Sequence, residues 1–283
     1  MLADVHILHQ SDVYRVVDFR CHCNICSITQ PEYNNSLCVS FIRKGFFEYR
    51  TFKRNDEVHV GRILISKPEY EHTTRHIDNQ PDITTVFEFT KAFFERLKAE
   101  YSREAGWFLR NNDLHALMLA CPPETDYLHH LILQLLQKKR IIVLQLDELV
   151  MQLLEKVLLT LENATDVPMV PESRKKYHLV TIEKAKEYIL ENFRENISLN
   201  AVSNHCCVSP FHFSRIFKQV MRISPHQYLL TVRLNHAKIL LTTTGKPVNG
   251  IAYESGFNSL EHFVTAYKQQ FRLAPSQYRK QLI

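Results

Sequence analysis

Three thiols and an imidazole fall within six residues at Cys21-His22-Cys23-Asn24-Ile25-Cys26. In an extended chain alternate side chains share a face, so Cys21 and Cys23 would point one way and His22 the other. Such a set suits a soft metal or a thiol redox pair, and Cys21, His22, Cys23 and Cys26 are the candidate metal ligands. A zinc site usually draws a second ligand pair from a distance, and beyond this stretch only Cys38 is near. The alternative is that strand cysteines pack as small apolar side chains. Further along, His59, Glu71, His72 and His76 are the groups from which a metal site in a β-barrel would be assembled. A compact His-x-His pair with a spaced Glu is missing. His59 and His72 are the ligand-binding candidates, with His72 at a barrel mouth or on the surface. The chain has six glycines, no G-x-G-x-x-G and no P-loop, and no G-x-S-x-G elbow. The expectation is a protein without catalytic residues or a cofactor, and no enzyme.

The other residues able to do chemistry are long polar and cationic side chains in a segment that repeats itself. Ser209-Pro-Phe-His-Phe-Ser-Arg-Ile-Phe-Lys218 and Ser259-Leu-Glu-His-Phe-Val-Thr-Ala-Tyr-Lys268 place His, Phe, an aromatic and Lys at the same steps, fifty positions apart. Pro225, Gln227 and Tyr228 recur as Pro275, Gln277 and Tyr278. Fixed-period self-similarity marks a duplicated structural unit.

Each copy reads as a short helix, a turn and a longer helix. In the first, Ser198 caps a helix from Leu199 to about Asn204, and His205–Val208 is the turn. Ser209-Pro210, a hydroxyl N-cap with proline at N1, then opens a helix to about Val220. In the second, Val248–Tyr253, a turn at Gly256 and Ser259 to about Phe271 play these parts. Phe213, Ile216, Phe217 and Val220, then Phe263, Ala266, Tyr267 and Phe271, have the 3–4 spacing of a buried face. The opposite faces carry Phe211, His212, Ser214, Arg215, Lys218 and Arg222, and Ser259, Leu260, Glu261, His262, Thr265, Lys268 and Arg272. These are the candidate DNA contacts. A guanidinium fork such as Arg215 grips guanine bidentately, and Glu261 could accept from cytosine. Lys218, Arg222, Lys268, Arg272, Arg279 and Lys280 suit phosphates, which position without reading sequence. Pro225 to about Thr242 reads as a helix joining the motifs, a rod of ~27 Å set against a duplex turn of about 34 Å.

Charge follows the same division. Residues 171–283 hold 16 Lys+Arg against 7 Asp+Glu, and residues 1–170 hold 19 against 23. A positive field over the repeated motif fits a polyanionic partner.

Ile251-Ala252…Gly256-Phe257…Phe263…Tyr267-Lys268…Pro275…Tyr278-Arg279 resembles the signature of the AraC/XylS family of transcription regulators, over roughly the last hundred residues. The resemblance implies a double helix-turn-helix domain that binds double-stranded DNA, and an activator that touches RNA polymerase. In the family a long polar residue commonly stands where Thr265 is. Its absence weakens base readout by the second motif, so the first is expected to specify and the second mainly to position. Some proteins join a cysteine cluster that accepts methyl groups to such a domain, but their four cysteines in two spaced groups are not present here.

Residues 13–90 alternate in short β-branched and aromatic runs: Leu37–Ile42, Phe46–Phe52, Glu57–Val60, Ile63–Ser66 and Ile83–Phe89 are the strand candidates. Lys44-Gly45 and Asn55-Asp56 are the turn signals between them. This resembles the antiparallel jelly-roll, cupin-like domain in front of many such regulators, and implies a small-molecule effector there. A cupin-type metalloenzyme with a DNA-binding tail is the alternative. From Lys91 onward the pattern turns helical, with apolar stripes in about 91–101, in a helix opening at Thr125, and in Leu144–Leu161. These stripes serve either as core against the β domain or as a homodimer interface.

The expected organisation is α+β: a cupin-like effector and dimerisation domain over 1–162, a linker over 163–177, and an all-α DNA-binding domain over 178–283, with motifs at about 199–220 and 248–271. Asp4 and Asp12 break up the amino terminus, so no secretory signal is read there. Seven cysteines, two of them adjacent, do not suggest a disulfide framework. A reducing cytoplasm, with no membrane association, is the expected location.

Overall fold

The strands of the first half pair in two antiparallel sheets, and the chain after them is helical. The computed structural model describes residues 3–22, 28–52, 54–76, 81–101, 106–162 and 172–280, excepting the side chains of 172–177. They form two compact units, Met1–Glu183 and Lys184–Ile283.

In the first unit the order is β1 (Ala3–Gln10), β2 (Tyr14–Cys21), β3 (Glu32–Tyr33), β4 (Leu37–Lys44), β5 (Phe46–Arg50), β6 (Asn55–His59), β7 (Arg62–Ser66), β8 (Glu71–His76) and β9 (Ile83–Phe89). There follow α1 (Lys91–Glu100), α2 (Gly106–Arg110), β10 (Ala116–Ala120), α3 (Pro123–Leu136), α4 (Val143–Glu162) and α5 (Glu172–Asn192), the last continuing into the second unit. One sheet runs β1-β2-β9-β4-β7-β10, the other β3-β8-β5-β6. The larger sheet is covered on both faces. Phe41, for example, stacks on His129 of α3 at 4.5 Å, and Tyr14 Oη donates to Asp147 of α4 at 2.7 Å. Ser40 and Leu64, beside Phe41 and Ile63 on the same strands, turn instead into a cavity shared with β5 and β8. Burial on both faces makes β4 and β7 almost continuously buried, as sheets enclosed on both sides tend to be.

Several expectations need correction. Asn55 and Asp56 lie within β6, and the turn sits just before them, where Thr51 N bonds to Arg54 O at 2.8 Å. Ala116–Ala120, in the stretch read as helical, is a strand along β7. Its Ala-Leu-Met-Leu-Ala composition favours helix, but an open sheet edge supplies backbone partners that override propensity. Of the expected linker, 163–171 lie outside the described residues, whereas Glu172 onward is helical. Leu146, Leu149, Val150, Leu153, Leu154, Val157 and Leu161 of α4 are all buried within the chain itself.

The second unit continues with α6 (Leu199–His205), α7 (Pro210–Met221), α8 (Pro225–Thr243), α9 (Val248–Glu254), α10 (Leu260–Phe271) and α11 (Pro275–Lys280). Ser198, Ser209 and Ser259 each cap a helix by accepting from the backbone N–H three residues on, worth about 1 kcal/mol apiece. Both motif turns close alike. Val208 N bonds to Ser203 O at 3.0 Å and Phe257 N to Ala252 O at 3.1 Å, the six-to-one bond of a Schellman ending. Ser203 and Ala252 are fully buried, which permits close helix approach. The left-handed residue of the turn is Cys207 in one copy and Gly256 in the other. At Gly256 a Cβ would meet Phe193 O at 2.5 Å, so glycine is needed for space as well as for φ. Asn258 is an extra residue in the second turn. The repeat also extends to packing: Phe217 meets Tyr228 edge-on at 5.6 Å, and Tyr267 meets Tyr278 at 5.9 Å.

His236 of α8 is buried against Phe193 at 5.1 Å. Burial, helped by Arg194 and Lys246 and opposed by Glu254, pushes its pKa down to about 4. A depressed folded pKa stabilises above the unfolded value near 6.5 and is lost as pH falls from there towards 4. Between pH 7 and 4.5 the wild type should therefore lose about 2 kcal/mol relative to His236→Leu, read by denaturant melts at each pH.

Candidate functional site

In the second unit, α7 and α10 each bury one face and offer the other. Phe213, Ile216, Phe217, Val220 and Met221 are the buried residues of α7, and Phe263, Ala266 and Tyr267 those of α10. Phe211, at 81% exposure, stands clear on the first turn of α7. Arg215, Lys218 and Arg222 are exposed beside it, with His212 and Ser214 half-buried. Arg215 Nη2 lies 3.3 Å from His212 Nδ1, one turn back, which holds the guanidinium along the same face. On α10, Leu260, Glu261, His262, Thr265 and Lys268 are exposed, Ser259 is half-buried, and Arg272 is exposed at the end. Each expected contact residue is thus on an available face.

Arg222 and Arg272 have a second duty that the sequence did not reveal. Each is the C-cap of its helix in left-handed conformation, with φ of 66° and 63°, and each N–H bonds back to Lys218 O or Lys268 O. Two further arginines are structural. Arg233 donates to Phe193 O and Glu195 O at 2.7 Å each, and Arg279 to Lys246 O at 2.7 Å. Arg279, read as a phosphate anchor, is therefore partly engaged already.

In the first unit the two sheets enclose a cavity of about 270 Å³, larger than the ~150 Å³ that holds benzene in an engineered core. Its apolar wall includes Val17, Phe19, Phe47, Tyr49, Leu64 and Val86, and its polar wall Asn34, Ser40, His72, Thr74, Thr84 and three carboxylates, Glu32, Asp82 and Glu88. Glu88 is paired with Arg15. Asn34 donates to Ser66 Oγ at 2.9 Å. His72 stacks on Tyr49 at 4.7 Å. Burial holds the His72 imidazole below its usual pKa, with Glu32 opposing. Backbone hydrogen bonds with Tyr70 and Glu32 also oppose the shift, while the buried hydroxyl of Thr74 has no hydrogen-bond partner among the described residues.

Of the ligand-binding candidates, His72 lines this cavity and His59 does not. His59 is buried elsewhere, with Nδ1 2.7 Å from Val60 O. Only two members of the cysteine cluster, Cys21 and His22, lie among the described residues. His22 is exposed and pairs with Asp4 at 2.8 Å, Cys21 is buried, and Cys23 and Cys26 lie outside the described residues. His72 and His76, both singled out from the sequence, line the cavity with Thr74 of the same strand, whereas Asp82 carried no sequence signal.

A helix-turn-helix domain model matches residues 202–281. The melibiose operon regulatory protein of Escherichia coli is 32% identical over 93 residues, 33% of this chain but only 31% of that one. The C-terminal domain of AraT, a response regulator from Geobacillus stearothermophilus, is 32% identical and covers 36% of this chain and 84% of that structure, with a TM-score of 0.35. The HTH-type transcriptional regulator YbfI of Bacillus subtilis, itself uncharacterised, is 31% identical over 230 residues, 81% of this chain and 79% of its own. The chain belongs to the AraC/XylS family of transcriptional regulators. These AraC/XylS relatives are named as regulators of transcription. For this AraC/XylS chain, no described helix is long and apolar enough to cross a membrane.

Proposed function

We propose that this chain is a sequence-specific regulator that binds double-stranded DNA through α7 and α10, under the control of a small molecule held between the β-sheets. The exposed face of α7 carries the reading: an aromatic, a guanidinium and a lysine stand on one side of a helix whose other side is fully packed. Arg215 reads a guanine, and Phe211 packs on a thymine methyl. Lys218 and Lys268 bind phosphate. On α10, Thr265 is too short for a base edge and Glu261 repels phosphate, so α10 chiefly sets register. Helix α8, at 19 residues, is a rod of about 28 Å, suited to placing two reading helices in successive major grooves. The cavity's size, its mixed apolar and polar lining and the unpartnered Thr74 hydroxyl among the described residues support an effector there. Activation through RNA polymerase is inferred from the family. Self-association as a homodimer would use what α4 leaves outside, with Ile142, Val143 and Leu144 exposed at its start; sedimentation of the full chain tests it.

Selection of bound duplexes from a random pool by the full chain tests the reading. A bipartite consensus is expected, and retention of unselected sequence alone would refute specificity. Lys218→Ala should weaken all duplexes alike and flatten the salt dependence by roughly one counterion. A change in the consensus would contradict a phosphate role.

A further inference from the structure

We propose that Cys21, His76 and Asp82 form a binding site for a thiophilic divalent cation of the zinc class, in the wall of the inner cavity. Cys21 is distant in sequence from His76 and Asp82, and strand register brings it to them. Cys21 ends β2, its N–H donating to Asp82 O at 3.0 Å. His76 ends β8 opposite Phe47. Asp82 comes just before β9, whose Ile83 pairs with Arg20. Gly45 makes room for this convergence: a Cβ there would lie 2.5 Å from Pro81 O and 2.8 Å from Asp82 Cα.

One ligand atom from each residue lies within 4.8 Å of the other two, and all three residues are buried. Cys21 Sγ is 4.0 Å from His76 Nδ1. Around a tetrahedral zinc, sulfur and nitrogen stand roughly 3.5 Å apart, so side-chain rotation of a few tenths of an ångström closes that pair. His76 Nε2 lies 2.5 Å from Asp82 Oδ1, and Thr84 Oγ1 donates to Asp82 Oδ2 at 2.8 Å. A cation held by Cys21 and His76 Nδ1 keeps Asp82 as the carboxylate that orients the imidazole. A cation held by all three opens the His76–Asp82 contact. In either arrangement the Cys21 proton is released to solvent on binding. His76 and Asp82 also face the cavity, which leaves a coordination position for water or for a cavity guest. Thiolate, imidazole and carboxylate together suit zinc and cobalt(II) better than calcium or magnesium.

The test uses the reduced, chelator-stripped full chain titrated with cobalt(II) and then competed with zinc. One equivalent should bind with a thiolate-to-cobalt charge-transfer band that zinc abolishes. Cys21→Ser should remove the band and His76→Gln the stoichiometric binding. Thr84→Val, which releases the outer hydrogen bond, should weaken binding by roughly 10–100-fold. Cys38→Ser and the Cys23→Ser/Cys26→Ser double variant should keep the band. No band in the wild type, a band that survives Cys21→Ser, or its loss in the double variant would overturn the assignment. Should Cys21→Ser fail to fold, peptide-mapped alkylation of the wild type replaces it: one equivalent of zinc must protect Cys21, and unchanged labelling counts against the site.

Discussion

Phe213→Ala should destabilise the C-terminal unit by about 3–5 kcal/mol, the range for emptying a buried phenylalanine site. Phe213 has no exposed surface and packs edge-on against Phe217 at 5.5 Å. Phe217 in turn meets Tyr228 of α8, so the cavity would open where the first motif joins the connecting helix. Phe211, two residues earlier, is 81% exposed, and its alanine variant should melt within about 0.5 kcal/mol of wild type. Denaturant unfolding of the two variants side by side checks the orientation of α7. Equal destabilisation would mean that Phe211 is buried and that the face assigned to DNA is turned inward.

Arg215→Ala should cost about 1–3 kcal/mol of specific binding and relax preference at one base pair, with little change in affinity for unrelated duplexes. Arg215 is exposed, and its one described side-chain neighbour is His212, one turn back on the same face. Its exposed guanidinium lies along the face proposed to meet nucleic acid. Arg215→Lys should behave much like the alanine variant at that base pair, because a point charge lacks the fork that grips guanine. Competition binding with a panel of single-base variants gives both numbers. A uniform loss over the whole panel would reassign Arg215 to phosphate.

The second unit was readable because its signals are local. Ser198, Ser209 and Ser259 cap within three residues, and Gly256 marks a turn that no side chain could take. The apolar stripes have a single buried face. Duplication repeated the Ser209 cap as Ser259 and the stripe of α7 as that of α10, whereas Ser198 and Gly256 are matched by Pro247 and Cys207. Arg222 and Arg272 escaped because left-handed arginine is not a pattern that composition reveals. The first unit was harder to read for a physical reason. β4 and β7 were legible from their β-branched and aromatic runs even though burial on both faces removes their alternation, but β8 is a run of polar residues, Glu-His-Thr-Thr-Arg-His, and does not read as a core strand. β10 is made of helix formers held in a strand by β7. The meeting of Cys21 with His76 and Asp82 depends on register across separate strands, and nothing near Cys21 announces the other two. The cysteine run drew attention to Cys21, but its partners came from the far side of the unit.

On the proposed function, one chain presents two unequal reading helices, α7 specifying and α10 positioning. Base-by-base substitution across both halves of the selected site, with affinity measured for the full chain at fixed salt, tests it most directly. The half under α7 should lose about 1–3 kcal/mol at its best-read positions, and the half under α10 only a small fraction of that. Equal losses in the two halves, or the larger losses under α10, would contradict the account.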